Sequence, residues 1–238
     1  MGYVNTATMN ENQWYILGLN FENVGAETSF KIKDLLDSSK LATGMLVAGT
    51  EPGNSTQIQI RDANFNAITY FYCNEADYDD DFNPVPGWTT DLGSGITDAT
   101  LEVGVGFWFK QPTGGGTIGL NFAGQVIPAD SADIHVKSIW QLAANPFPTL
   151  MAIKNLASNE LTAGTEPSNS TQIQIRDANF NAITYFYCNE ADYDDDFNPV
   201  PGWTTDLGSG ITDATIAPGV GFWIKDPSKT FDIEVSLK

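Results

Sequence analysis

The sequence predicts an all-β protein of two tandem domains, each a β-sandwich or barrel-like fold with one short α-helix. Alternating runs such as TQIQIRD at residues 56–62 place apolar and polar side chains on opposite faces of a strand. Glycine and proline are frequent, with 22 and 12 residues, as expected when turns join many short strands. A long stretch of the chain also occurs twice, which indicates one repeated architecture.

The repeat consists of residues 48–100 and 163–215, which differ only where Gly53 is replaced by Ser168. The flanking residues are much less alike, so local homogenisation of the gene explains this block better than selection on every residue. The near-identity therefore indicates two copies of one site and no particular activity. We predict a boundary near residues 124–131, with domains at 1–126 and 127–238.

Each predicted element has its own sequence pattern. TQIQIRD and ITYFYC, separated by the turn NFNA, predict a hairpin rich in β-branched and aromatic residues. VGVGFWFK (103–110) predicts another strand, and its alternating glycines permit close approach of a neighbouring backbone. Helices are predicted at SFKIKDLLDSSKL (29–41) and TLMAIKNLA (149–157). Further strands are predicted at YVNTATM (3–9), QWYILGL (13–19), TIGLNFAGQV (117–126) and FDIEVSLK (231–238).

The charge is strongly negative and concentrated in the repeat. The chain has 30 acidic against 11 basic residues, a formal charge of −19, and each 53-residue block contributes −8 of it. Such a field repels nucleic acids and anionic membranes, so we exclude both as partners. No apolar run approaches the ~18 residues of a membrane-spanning helix, so we expect no membrane insertion.

Two further features bear on the compartment. Residues 1–20 contain no basic segment followed by an apolar one, so no signal peptide is present, and we expect this sequence to come from a longer secreted precursor. Cys73 and Cys188 occupy equivalent places in the two copies. We favour two free cysteines on strands, with a disulfide between copies as the alternative.

The segment CNEADYDDDFNP, at residues 73–84 and 188–199, carries the densest charge. Its alternate aspartates resemble a set of hard oxygen ligands, which calcium prefers, although the EF-hand pattern is not met. The alternative is a solvated acidic loop that keeps the surface soluble. The predicted calcium ligands are Asp77, Asp79, Asp81, Asp192, Asp194 and Asp196.

Aromatic side chains follow the acidic residues closely. Aromatic faces beside amides and carboxylates can hold sugar rings, so Tyr78, Trp88, Tyr193 and Trp203 are the predicted ligand-binding residues. The alternative for the tryptophans is that they fix the loop to the sheet. The row Gln57, Gln59 and Arg61 forms a second polar patch. We expect Trp108 and Trp223, in the GFW strands, to be core residues.

No pattern points to catalysis. His135 is the only histidine and lies outside the repeat, so no repeated site can use histidine as a base or a zinc ligand. The sequence has no phosphate-binding loop and no serine nucleophile elbow. Adjacent aspartates would titrate as a repelling cluster and not as one tuned acid and one base. We therefore predict that the protein is not an enzyme.

WQLAANPF (140–147), LTAG, GWTTD and IAPGVGFWIK together resemble a module of secreted and surface proteins of Verrucomicrobia- and Lentisphaerae-type bacteria. The likeness covers the second copy. The first copy departs from it where Leu19-Asn20-Phe21 replaces Asn-Pro-Phe and Glu102-Val103 replaces Ala-Pro. The resemblance implies an extracellular or cell-surface β-module, often found in series, and implies no activity.

These observations predict a non-enzymatic extracellular binding module. Its expected partner is a glycan or another surface ligand, and two equivalent sites would provide avidity. The alternative function is a structural or adhesive surface or filament protein built from calcium-rigidified modules. The chain is expected to be a monomer or to self-assemble through β-edges.

Overall fold

The computed structural model describes residues 2–21, 29–35, 41–62, 64–124, 131–156 and 158–236. These residues form mainly antiparallel sheets, which confirms the predicted all-β class. We call the described residues up to 124 the N-terminal half and those from 131 onward the C-terminal half. The predicted domain boundary falls on residues 125–130, outside the described residues.

The N-terminal half contains three antiparallel sheets. Its strands are β1 (Gly2–Asn5), β2 (Trp14–Gly18), β3 (Ser29–Lys31), β4 (Leu41–Thr43), β5 (Gln57–Arg61), β6 (Ala67–Tyr78), β7 (Pro84–Thr89), β8 (Thr100–Glu102), β9 (Gly106–Lys110) and β10 (Gly119–Gly124). The large sheet has the order β2-β9-β5-β6-β7. A smaller sheet has the order β1-β10-β4, and β3 pairs with β8.

The C-terminal half repeats this arrangement with one strand fewer. Its strands are β11 (Ser131–Val136), β12 (Gln141–Ala144), β13 (Met151–Ala152), β14 (Gln172–Arg176), β15 (Ala182–Tyr193), β16 (Pro199–Thr204), β17 (Thr215–Ile216), β18 (Gly221–Lys225) and β19 (Phe231–Ser236). The large sheet has the order β12-β18-β14-β15-β16. β11 pairs with β19, and β13 pairs with β17. The hairpin predicted from TQIQIRD and ITYFYC is confirmed in both halves.

Helical structure in the described residues is short. Of the helix predicted over 29–41, only α1 at Ile32–Leu35 is helical, since Ser29–Lys31 form β3 and Leu41 begins β4; residues 36–40 lie outside the described residues. The helix predicted over 149–157 is wrong, because β13 is followed by a 3-10 turn at Ile153–Asn155. Met151 and Ile153 are both buried, which is the alternation of an extended chain and not a helical stripe. Two more 3-10 turns lie at Pro52–Asn54 and Pro167–Asn169. No helix among the described residues is long and apolar enough to cross a membrane.

Each half has its own hydrophobic core between its large sheet and its smaller sheets. In the N-terminal half, Phe107 and Phe109 of β9 join Leu120 and Phe122 of β10 in one buried cluster. The matching cluster of the C-terminal half includes Phe222, Ile224, Ile233 and Val235. Cys73 and Cys188 are free and fully buried, so the alternative of a disulfide between copies is wrong.

The two halves meet through reciprocal backbone contacts. Leu17 bridges Val220, and at the equivalent positions Ala143 bridges Val105. The amide of Gly18 donates to the carbonyl of Gly219 at 3.1 Å, and that of Ala144 donates to Gly104 at 2.8 Å. Because both halves make the same contact on the other, the arrangement is an internal pseudo-twofold of the kind seen in symmetric dimers.

Glycine allows this close approach. A Cβ atom added at Gly106 would lie 2.6 Å from the carbonyl oxygen of Ala143. A Cβ atom added at the equivalent Gly221 would lie 2.8 Å from the carbonyl oxygen of Leu17 and 2.4 Å from a methyl carbon of Ile16. The close backbone approach predicted for the glycines of VGVGFWFK is thus confirmed at Gly106, and the partner is the other half of the chain.

Candidate functional site

The predicted acidic loop is the tip of the hairpin between β6 and β7. Oδ1 of Asp79 accepts hydrogen bonds from the amides of Asp81 and Asn83, at 2.9 and 2.8 Å, and the Asn83 side chain also donates to Asp79. These bonds close a tight turn in which Phe82 has a φ of 61°. They also hold the pKa of Asp79 below its ordinary value, since they stabilise the carboxylate.

The same turn occurs four times in the described part of the chain. Asp62 accepts from the amides of Asn64 and Asn66 at 2.8 Å, and Phe65 has a φ of 65°. The other two copies begin at Asp177 and Asp194, with Phe180 and Phe197 in the left-handed region. Sequence reasoning missed this motif, although the shared pattern Asp-x-Asx-Phe-Asn was its signal. The first aspartate of each pattern is a turn-forming residue.

This geometry bears on the predicted calcium ligands Asp77, Asp79, Asp81, Asp192, Asp194 and Asp196. Oδ1 of Asp77 accepts from the amide of Tyr78 at 2.8 Å, and Asp79 is engaged within its own turn. The C-terminal hairpin has the same bonds. Across the part of the chain that the structure describes, no three His, Cys, Asp or Glu side chains form a group suited to a metal ion. Calcium at these loops stays a prediction.

The predicted ligand-binding aromatics fall into two environments. Tyr78 and Tyr193 are 46% and 47% exposed, and their hydroxyls donate to Glu75 and Glu190 at 3.0 Å, which raises the pKa of both tyrosines. The indoles of Trp88 and Trp203 are 1% exposed, and each packs on a tyrosine of the neighbouring strand. Both indoles face the core and offer no ring face to a ligand, so we withdraw them as candidates.

The expectation that Trp108 and Trp223 are core residues is wrong. Both are half-buried, and their ring centroids lie 6.0 Å apart across the contact between the halves. Trp14 packs edge-on against Trp108 at 6.3 Å, which extends the aromatic row along the first sheet. The register places Ile16 and Gln59 opposite Trp108 and therefore on its face of the sheet.

This row of tryptophans forms one wall of an open cleft between the halves, which we call the tryptophan cleft. Its volume is about 420 Å³. The tryptophan cleft is lined by Gln13, Trp14, Gln59, Arg61, Trp108, Arg176, Phe180 and Trp223. Both arginines of the sequence are therefore in its lining. The cleft thus combines aromatic faces with amide and guanidinium donors.

Local contacts orient the polar groups of the cleft. Arg61 donates to the carbonyl of Phe65 at 3.1 Å, and its guanidinium lies 6.0 Å from the Trp223 centroid. The side-chain amide nitrogen of Gln59 donates to the Thr69 hydroxyl at 3.1 Å, so this bond does not use the side-chain carbonyl oxygen of Gln59. By contrast, Gln57 of the predicted polar patch is 7% exposed and donates to Pro52.

The positive-φ phenylalanine of one turn helps to build the cleft. Phe180 packs edge-on against Tyr15 of the other half, with centroids 5.0 Å apart. On the opposite side of the pseudo-twofold, the ammonium of Lys137 lies 4.4 Å above the ring of Phe65. The NFNA turns therefore hold the two halves together at the sides of the contact.

Sequence reasoning found one side of this site and missed the rest. Gln59 and Arg61 were recognised as a polar patch because strand alternation puts them on one face. Trp108 and Trp223 are separated by 115 residues and meet only through the pseudo-twofold. Comparison with known proteins found no matching family model, no matching characterised protein and no matching solved structure. The fold and the cleft define an all-β protein with a composite cleft between two related halves.

Proposed function

We propose that this protein is a non-catalytic, extracellular carbohydrate-binding module whose ligand occupies the tryptophan cleft. The observation that carries the proposal is the juxtaposition of half-buried Trp14, Trp108 and Trp223 with Gln59 and Arg61 in one open cleft. Sugar rings present apolar C–H faces that stack on aromatic rings, and their hydroxyls require hydrogen-bonding partners at the rim.

The shape of the cleft fits a chain of sugars better than a small buried metabolite. Its aromatic wall runs from Trp14 through Trp108 to Trp223, with ring centroids about 6 Å apart at each step and ring planes inclined at 80° and 58° to one another. An open row of this kind supports successive rings of an extended ligand. The amide and guanidinium groups of the lining can donate hydrogen bonds to sugar hydroxyls beside the rings.

A glycan array followed by calorimetric titration tests the proposal. The variants Trp108→Ala and Trp223→Ala should each weaken binding at least about tenfold, or ~1.4 kcal/mol, because each removes a stacking surface. Since both rings are half-buried, each variant must first keep the far-ultraviolet circular dichroism and melting temperature of a folded chain.

The acidic hairpins provide the matched control. Tyr78→Ala and Tyr193→Ala remove exposed aromatics at the other predicted site and should leave glycan affinity unchanged. If these variants abolish binding while Trp108→Ala does not, the ligand binds the hairpins and the cleft assignment is wrong. If no glycan binds the folded wild-type chain, the proposed function is wrong.

The alternative of a structural or adhesive protein has one observation in its favour. Phe82 and Phe197 are 86% and 85% exposed at the acidic tips, whereas Phe65 and Phe180 in the same turn contact the other half. An exposed aromatic at a hairpin tip can anchor a further module or another chain. Assembly through β-edges gains no support at β7, since Pro84 and Pro86 lack amide donors.

A further inference from the structure

The face that carries the tryptophan cleft differs in charge from the rest of the chain. Trp14 lies opposite Lys110 in the register, and the Lys110 ammonium is 5.7 Å from the Trp14 centroid. The Lys225 ammonium lies 4.9 Å from the centroid of Trp140 in the C-terminal half. Lys110 and Lys225 each lie two residues after Trp108 and Trp223 and thus on the same sheet faces, so together with Arg61 and Arg176 of the lining four of the 11 basic residues are on this side of the two large sheets. Among the described residues, none of those that line the cleft is acidic.

The two arginines are not neutralised by carboxylates. Among the described residues, the side-chain ion pairs involve Lys31, Lys33, Lys154 and His135, and neither arginine. Arg61 and Arg176 are exposed, and one amino group of each is held by the carbonyl of the phenylalanine four residues on, at 3.1 and 2.8 Å. A guanidinium has five N–H donors, so each arginine keeps several for a ligand.

The carboxylates next to the arginines in the sequence are engaged in turns. Asp62 and Asp177 directly follow the arginines, but each accepts hydrogen bonds from its own turn, including the side chains of Asn66 and Asn181 at 3.0 and 3.1 Å. Two aspartates therefore follow two arginines in the sequence, and neither aspartate forms an ion pair with its arginine. In a chain with 30 acidic residues, this arrangement preserves two unpaired guanidiniums at one site.

The strong negative charge is also distant from the cleft. Arg61 pairs with Ala67 at one end of β6, whereas the acidic tip follows Tyr78 at the other end. Twelve residues of strand span roughly 35–40 Å at ~3.3 Å per residue. Since charges in water are screened over ~8 Å at physiological ionic strength, the acidic tips do not cancel the field of the arginines.

We infer that the ligand of the tryptophan cleft is an anionic glycan, with a carboxylate or sulfate group on a sugar ring. This inference rests on the proposed function and specifies its ligand class. The sugar rings stack on Trp108 and Trp223, and Arg61 or Arg176 binds the anionic group through paired N–H donors. Arginine suits this role because its planar fork matches two oxygens of a carboxylate or sulfate.

Matched pairs of oligosaccharides provide the test by calorimetric titration of the full chain. Oligogalacturonate is compared with its methyl ester, and a sulfated galactan oligosaccharide with its desulfated form. We expect at least one charged member to bind ten or more times more tightly than its neutral partner. The pair that shows the preference identifies whether the anion is a carboxylate or a sulfate.

Variants then assign the preference to the arginines. Arg61→Gln and Arg176→Gln together should reduce the charged-to-neutral ratio to about one, because they weaken binding of the charged member far more than binding of its neutral partner. Lys31→Gln with Lys154→Gln changes the net charge equally, away from the cleft, and should leave the ratio unchanged. Equal or tighter binding of both neutral partners, or a ratio that survives the arginine variants, would overturn the inference and leave the proposed function standing. No binding of any charged or neutral glycan would overturn both.

Discussion

The four phenylalanines at positive φ give the sharpest test of how this fold is held together. Phe82 has a φ of 61° and is 86% exposed, so its ring contributes little packing. The left-handed conformation costs an ordinary L-residue ~1–2 kcal/mol, and asparagine adopts it more readily. We expect Phe82→Asn to stabilise the chain by about 0.5–1 kcal/mol, and Phe197→Asn to do the same.

The same substitution at Phe180 should have the opposite sign. Phe180 has a φ of 64° and would gain a similar relief, but its ring packs against Tyr15 at 5.0 Å. Loss of an aromatic pair costs ~0.5–1.5 kcal/mol. Exposing roughly 100 Å² of buried ring surface adds ~2.5 kcal/mol. After subtraction of the ~0.5–1 kcal/mol gained at the backbone, Phe180→Asn should destabilise the chain by about 2–3.5 kcal/mol.

Urea unfolding followed by tryptophan fluorescence measures both variants against the wild type. The midpoints should separate to opposite sides of the wild-type value with no change in slope. A loss of more than about 1 kcal/mol in Phe82→Asn would refute the strain argument, because the exposed ring would then have a packing role. Equal effects at both positions would refute the assignment of Phe180 to the contact between the halves.

Three further predictions follow from the geometry. Turn hydrogen bonds lower the folded-state pKa of four aspartates below 3.8, namely Asp62, Asp79, Asp177 and Asp194, so the stability they contribute is present above that pH and is lost as the pH falls through the lower folded values. Replacing Asp79 and Asp194 by Asn should therefore make the free energy of unfolding depend less on pH in acid. An unchanged pH dependence below about pH 4 would contradict this. Gly221→Val should destabilise the contact between the halves by ~1–3 kcal/mol and alter the near-ultraviolet circular dichroism of Trp108 and Trp223. Gly53→Ser should be neutral, because a Cβ atom at Gly53 has no other atom within 4 Å. A neutral Gly221→Val would show that the halves can separate at no cost. Calcium at the acidic hairpins predicts that millimolar calcium raises the melting temperature and that Asp77→Asn with Asp192→Asn removes the rise; an unchanged melting temperature in the wild type would overturn it.

Local patterns in the sequence predicted the strands well because alternation and turn residues are local properties. Ile58 is fully buried and Arg61 exposed, as the alternation of TQIQIRD requires. The strand VGVGFWFK and the close approach at its alternating glycines also follow from the sequence pattern. Pattern alone could not identify the surface that the glycines approach, which is the neighbouring edge strand of the large sheet in the other half, β12 for Gly106 and β2 for Gly221.

The tryptophans show where sequence reasoning fails. Trp88 follows the acidic loop and lies among Pro and Gly residues, which predicts a ligand site. In the structure it pairs with Tyr72, and this register directs its side chain into the core. Trp108 stands in an apolar GFW strand and was assigned to the core, yet it lies on the opposite sheet face from the buried Phe107 and Phe109. For both tryptophans the neighbouring residues suggest the wrong environment, because the strand register decides which face of the sheet a side chain occupies.

The composite cleft also changes the expected stoichiometry. Two nearly identical blocks suggest two equivalent sites, but Arg61 and Arg176, one from each block, line the same cleft. Trp108 and Trp223 likewise meet at one contact on the pseudo-twofold. The duplication therefore builds one site from two half-sites, and calorimetry should give one short oligosaccharide bound per chain. A measured stoichiometry of two would mean that each half binds on its own, and that the ligand does not occupy the shared cleft.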